Sequence, residues 1–150
     1  PQHIFRTTGL DAIIDHQILN FDENKEAINN CMNRMEILGL MLDKKEFNVD
    51  VNGKDQSTKT LLFRASHSGC LPMVNLLAKY GADPNITEDS DKITPLMGAI
   101  EHRYYEIAEK LIEMGADPNA KSRCGSKAKD YIRRESFNKF NSKILMKIFQ

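Results

Sequence analysis

The stretch "TPLMGAIEHRYYEIAEKLIEMGADPN", residues 94–119, ends on a pentapeptide, GADPN, that also occupies residues 81–85. The two copies share more than these five letters. Gly81 and Gly115 are 34 positions apart, and Thr60 and Thr94, Leu62 and Leu96, Ala65 and Ala99, and Leu77 and Leu111 keep the same offset. Identity held at one offset over a whole segment marks a repeated structural unit. A ligand loop would repeat its own residues without its distant flanks.

Each unit has the same physical grammar. Thr94 before Pro95 reads as a helix start, because the hydroxyl can accept an orphan N–H and proline at the first helical position gives up no hydrogen bond. Thr60 repeats the cap without the proline. Leu96, Ala99 and Ile100 then lie at helical spacing, with small residues that let a neighbouring helix approach. After a break near Arg103, matched by Gly69 in the earlier unit, Ile107, Ala108, Leu111, Ile112 and Met114 form a second apolar stripe. Its earlier counterpart is Met73, Val74, Leu76, Leu77 and Ala78. Gly81 and Gly115 fall where a left-handed residue closes a last helical turn. Asp83 and Asn85, like Asp117 and Asn119, suit turn geometry, and Pro84 and Pro118 bar further helix. The unit reads as helix, turn, helix and projecting loop.

With 150 residues, 41% of them apolar and 28% charged, the chain is expected to be one globular unit. Its longest apolar run, residues 37–42, is far below a membrane span. Pro1 at the start is compatible with a piece of a longer protein. Three cysteines, Cys31, Cys70 and Cys124, form no CxxC pair, which argues against a disulfide framework and a structural zinc site and favours a reducing compartment. The formal net charge is zero but unevenly placed: residues 120–150 hold nine Lys/Arg against two Asp/Glu, so the tail is +7 and the remainder −7. That tail reads as a solvated basic face, or as a docking patch for an acidic partner.

The stretch "DSDKITPLMGAIEHRYYEIAEKLIEMGADPNAK" resembles an ankyrin repeat, with Thr94, Pro95 and Leu96 in the T-P-L signature and Gly115, Ala116, Asp117 and Asn119 in the closing turn. The stretch "DQSTKTLLFRASHSGCLPMVNLLAKYGADPNIT" resembles it nearly as well. Phe63 and Met97 stand where the family usually has a histidine bonded within the turn. One extra residue near Glu88 makes the second period 34 rather than 33, which a loop absorbs. The resemblance implies an all-α solenoid of stacked helix-turn-helix units with projecting turn fingers. The expected divisions are an N-terminal helical cap (1–22), a degenerate repeat (23–54), two good repeats (55–87 and 88–121) and a degenerate capping repeat (122–150). In the degenerate repeat, residues 28–41 could supply two helices with a shortened link. At the end, "GSKAKDYI" resembles a variant helix start and "FNKFNSKILMKIF" a capping helix.

No chemical constellation stands out. His67 and Cys70 are three apart, as ligands or a nucleophile and base could be, but nothing is placed to complete a site. Glu88, Asp89 and Asp91 lack the spaced ligands of a calcium loop and read as an acidic finger tip. No catalytic residue, cofactor, metal or small-molecule substrate is expected. The basic tail lacks nucleic-acid module signatures, which leaves nucleic acid or acidic membrane as a minor alternative.

What remains is surface, and the resemblance implies a protein partner bound by the concave face. Finger residues there would be Lys54, Gln56, Ser57 and Lys59, then Thr87, Glu88, Ser90, Asp91 and Ile93, then Lys121, Arg123, Cys124 and Ser126. His67, Ser68, Glu101 and His102 would line the helical side. Phe63 and Met97 would either anchor a partner or pack against each other between repeats. The reading is an intracellular, cytoplasmic interaction scaffold. Its alternative is the recruiting part of a larger enzyme or of a microbial effector delivered into a host cytosol.

Overall fold

A computed structural model describes residues 25–132 and Met146. Five α-helices follow in order: α1 (Lys25–Asp43), α2 (Leu61–Ser68), α3 (Leu71–Lys79), α4 (Pro95–Glu101) and α5 (Tyr105–Glu113). Short 3-10 turns cover Lys45–Phe47 and Ala128–Tyr131. Among the described residues there is no strand, only an isolated antiparallel bridge between Lys54 and Thr60.

The caps that begin the inner helices are those expected from sequence. Thr60 Oγ1 accepts the N–H of Phe63 at 3.1 Å, and Thr94 Oγ1 accepts that of Met97 at 3.2 Å. Each pair of helices is separated by a left-handed residue, Gly69 (φ +81) in the first and Arg103 (φ +63) in the second. At Gly69 a side chain would also meet the Tyr104 ring, whose carbons lie 2.7 Å from the position of a Cβ. After α3 and α5 the glycines of GADPN are left-handed, at φ +76 and +94. The next residue reaches back over the last turn: Ala82 N–H donates to Leu77 O at 3.0 Å and Ala116 N–H to Leu111 O at 2.9 Å.

These elements form two layers. α2 packs against α4, and α3 packs against both α1 and α5. Between them lie Leu62, Ala65, Val74, Leu77, Leu96, Met97, Ala99, Ile100, Ala108 and Leu111, each 2% exposed or less. Covering a leucine or isoleucine this fully is worth about 1.5–3 kcal/mol. Ser66, buried in the same layer, satisfies its hydroxyl by donating to Leu62 O at 2.7 Å.

Three expectations need correction. Residues 25–43 form one continuous helix, not two with a shortened link. No proline or left-handed residue interrupts "KEAINNCMNRMEILGLMLD", and Gly39 near its end is tolerated in a helix. Cys70, buried at the start of α3, is disulfide-bonded, contrary to the argument from cysteine spacing. Cysteine usage therefore no longer supports a reducing compartment. Finally, "GSKAKDYI" makes a 3-10 turn, not an α-helix, with Lys127 N–H donating to the Asp130 carboxylate at 2.7 Å. The turn packs on α4 and buries Ala128 to 1% exposure, 33 positions after Pro95. The two other helices read from sequence, "LDAIIDHQIL" and the final capping helix, fall outside the described residues, Met146 excepted.

Asparagines that end these turns, Asn52 of "FNVDVN" and Asn85 of the first GADPN, bind the units together. Asn52 Oδ1 accepts the N–H of Asp83, and Asn85 Oδ1 accepts that of Asp117, both at 2.8 Å. Asn85 Nδ2 also donates to Gly115 O at 3.1 Å. Asn119 has the same letters around it but its Oδ1 accepts instead from Lys127 Nζ at 3.3 Å.

Two stability measurements follow by urea denaturation. Asn85→Ala is expected to lose about 1–2 kcal/mol, since it removes two hydrogen bonds between units, with Asp117 N–H and Gly115 O, and Asn119→Ala less than half of that. Gly69→Ala is expected to lose about 2 kcal/mol or more, because it adds backbone strain to a side-chain collision.

Candidate functional site: the fingers and the first-helix face

Each finger turns around one inward side chain at an equivalent place. In the first, Asp55 Oδ1 accepts the N–H groups of Ser57 (2.8 Å) and Lys59 (3.0 Å), while Oδ2 meets Arg64 Nε at 2.5 Å. Both side chains of that ion pair are buried, at 1% and 6% exposure. In the second, Glu88 Oε1 accepts the N–H groups of Asp91 (2.7 Å) and Ile93 (3.1 Å). Its Oε2 accepts the N–H of Ser90 at 2.8 Å and the Ser90 hydroxyl. In the third, Ser122 Oγ accepts Ser126 N–H at 3.2 Å.

The extra residue of the long period sits inside the second turn. Backbone bonds close the loops between Asp55 N–H and Lys59 O, Glu88 N–H and Ile93 O, and Ser122 N–H and Ser126 O. The middle loop is one residue longer, and the side chain that spans it is one methylene longer than aspartate. Glu88 is consequently an internal strut, 4% exposed, and not part of an acidic tip. Burial pushes its carboxyl up, but the Ser90 hydroxyl and the N–H groups of Ile93, Asp91 and Ser90 outweigh that and hold it at about 2.

The fingers are also bonded to each other. Asp89 N–H donates to Thr58 Oγ1 at 3.1 Å, and Lys54 pairs with the Asp89 carboxylate. Arg123 N–H donates to Asp91 O at 2.7 Å, and Arg123 Nη2 to Asp89 O at 3.2 Å. Basic side chains of the outer fingers thus flank and grip the middle one.

Of the residues read from sequence as surface, Lys54, Gln56, Ser57, Ser90, Asp91, Glu101, His102, Lys121, Arg123 and Cys124 are exposed. Lys59, His67, Ser68, Thr87, Ile93 and Ser126 are half-buried. Phe63 and Met97 are buried, at 4% and 0% exposure. Packing within the stack, not display to a partner, is their observed role. Lys59 Nζ lies 5.8 Å from the centre of the Phe63 ring, and the Ser68 hydroxyl is engaged with Arg64 O at 2.8 Å. Sequence reasoning missed the Asp55–Arg64 pair, whose nine-residue separation has no helical or turn signature.

On the helical side an aromatic row runs across the ends of α2 and α4. Phe63 and His67 have ring centres 5.5 Å apart, His67 and His102 4.1 Å, and His102 and Tyr104 6.0 Å. His102 Nδ1 lies 3.0 Å from Gly98 O. Burial lowers the pKa of His67 to about 4, helped by His102, Lys59 and Arg64, so its ring is neutral at physiological pH.

A profile of ankyrin repeats matches residues 26–122 in three copies. The chain belongs to the ankyrin-repeat family. Ankyrin repeats are protein-interaction modules, and this chain is an all-α ankyrin stack. It is 42% identical to mouse protein phosphatase 1 regulatory subunit 27 over 71 residues, 47% of this chain and 46% of that protein. It is 46% identical to mouse ARF GTPase-activating protein GIT2 over 55 residues, 37% of this chain and 8% of that protein. The matched part is therefore less than half the length of either relative. Among solved structures, the ankyrin repeat domain of Bcl-3, a member of the IkappaB family, aligns with a TM-score of 0.63 at 24% identity. That alignment covers 82% of this chain and 48% of the Bcl-3 chain, and shows the fold. No helix among the described residues is long and apolar enough to cross a membrane.

Glu88 makes the second finger acid-sensitive with a defined sign. Its carboxyl is depressed in the folded state, so its stabilisation is complete above the unfolded value of 4.5 and is lost as pH falls towards 2. Glu88→Gln is expected to lower stability by about 1–3 kcal/mol at pH 7. In urea titrations the gap between wild type and variant is expected to narrow steadily from pH 4.5 downwards.

Proposed function

We propose that the chain binds a partner protein through its finger tips and the exposed side of α2 and α4, and performs no chemistry itself. The observation that carries this is the mutual bonding of the three fingers. Thr58, Lys54 and Arg123 hold the middle finger in place, so the exposed charges around it are fixed before any partner arrives. A preformed surface avoids much of the ordering cost of association. The repeat divisions in this reading are 55–87 and 88–121, flanked by 23–54 and 122–150, with 1–22 as a cap.

Asp89 and Asp91 are the exposed acids of the middle finger, since Glu88 points inward, and the third finger meets it through Arg123 and carries Lys121 exposed. A partner with mixed charge suits this surface, and such charges act mainly on association rate and specificity. The small share of GIT2 that the match covers supports a second reading, in which this stack recruits targets for a larger enzyme or effector. An intracellular or host-cytosol location belongs to the same proposal and is checked by cell fractionation.

The test uses charge reversal at exposed positions that leave the struts intact. Asp91→Lys combined with Lys121→Glu is expected to weaken the partner captured by wild type at least tenfold, with an unchanged thermal midpoint. Full retention of that partner by the double variant would remove the finger surface from consideration.

A further inference from the structure

The helical side carries a cluster that partner binding does not account for. His67 sits in the last turn of α2, Glu101 ends α4 and His102 caps it. Positions 67 and 101 are equivalent in the repeat, 34 apart, so stacking α2 on α4 brings their side chains together by translation, and His102 adds a third group. One ligand atom from each of the three lies within 4.8 Å of the others.

We propose that His67, Glu101 and His102 form a binding site for one zinc-class divalent ion, with a water molecule or an external donor as the fourth ligand. Two imidazoles and one carboxylate are the donor set of borderline first-row metals, whereas calcium and magnesium take oxygen ligands. A tetrahedral ion bonded at about 2.1 Å holds its ligand atoms roughly 3.4 Å apart. Glu101 is exposed, so rotation of its side chain can bring the carboxylate to the two imidazoles.

The second observation concerns which histidine nitrogen is available. A carbonyl can only accept, so the 3.0 Å contact between His102 Nδ1 and Gly98 O requires Nδ1 to carry the proton. The lone pair is then on Nε2, free for a metal. Metal-bound histidines almost always donate their other N–H in this way, to a carbonyl or carboxylate. Both rings are also held. His67 lies against α4 at Gly98, 3.7 Å from where a Cβ would stand, and Tyr104 stacks on His102 at 14°. Of the cationic neighbours, Arg64 is paired with Asp55, and Lys59 lies over the Phe63 ring.

The test is zinc titration of the full chain by calorimetry, with cobalt(II) absorption as a geometric readout. Wild type is expected to take up one zinc ion per chain at micromolar metal, with visible cobalt bands of tetrahedral intensity. His102→Gln and Glu101→Gln are expected to weaken binding at least tenfold each, and Glu101→Gln, at an exposed position, leaves the metal-free thermal midpoint unchanged. Cys124→Ser is expected to bind as wild type. Absence of uptake by wild type overturns the proposal, and so does uptake that survives both ligand variants undiminished, since the ion would then sit elsewhere.

Discussion

One repeat of this chain leaves apolar side chains of its helix pair uncovered, and only the next repeat can cover them. Everything else in the molecule answers to that constraint. Ala65 and Ala99 keep the contact between α2 and α4 close, and the asparagine clamps fix how far one unit is displaced from the next. Each clamp joins a side-chain oxygen to a backbone N–H, so it sets position without demanding a particular neighbour's side chain. Asn119 shows the limit of the device: the next unit begins as a 3-10 turn, and its amide oxygen meets Lys127 instead.

The fingers use a different solution to a related problem. A projecting turn exposes backbone N–H groups that must find partners, and each unit supplies them from a single inward side chain. Aspartate, glutamate and serine all fill this role, and with Asp55 the anchor is itself held by a buried guanidinium. Breaking such a pair from one side is costly, about 3–5 kcal/mol, because the remaining charge is stranded. The first finger therefore depends on α2 as much as on its own turn.

The sequence made some of this visible and hid the rest for physical reasons. The offset of 34, the threonine caps and the left-handed glycines are local or periodic, and each appears where its residues suggest. Glu88 was misread because three acids within four residues look like a solvated tip, while which of them turns inward depends on loop length. Phe63 and Met97 could face either way on a short helix, and the packing of α2 on α4 decides it. The single helix at 25–43 and the bonded state of Cys70 depend on contacts that no repeat pattern encodes. The row from Phe63 to Tyr104 was missed as a unit because half of it lies in another repeat.

The match between loop length and anchor length bears on how such surfaces diversify. An inserted residue that widens a finger leaves its N–H groups beyond the reach of aspartate, and a longer acid restores them. In the second finger the longer loop and the longer anchor thus go together. Variation in the shape of this face would proceed by linked changes, while the letters between the fingers stay constant and record the frame on which they were made.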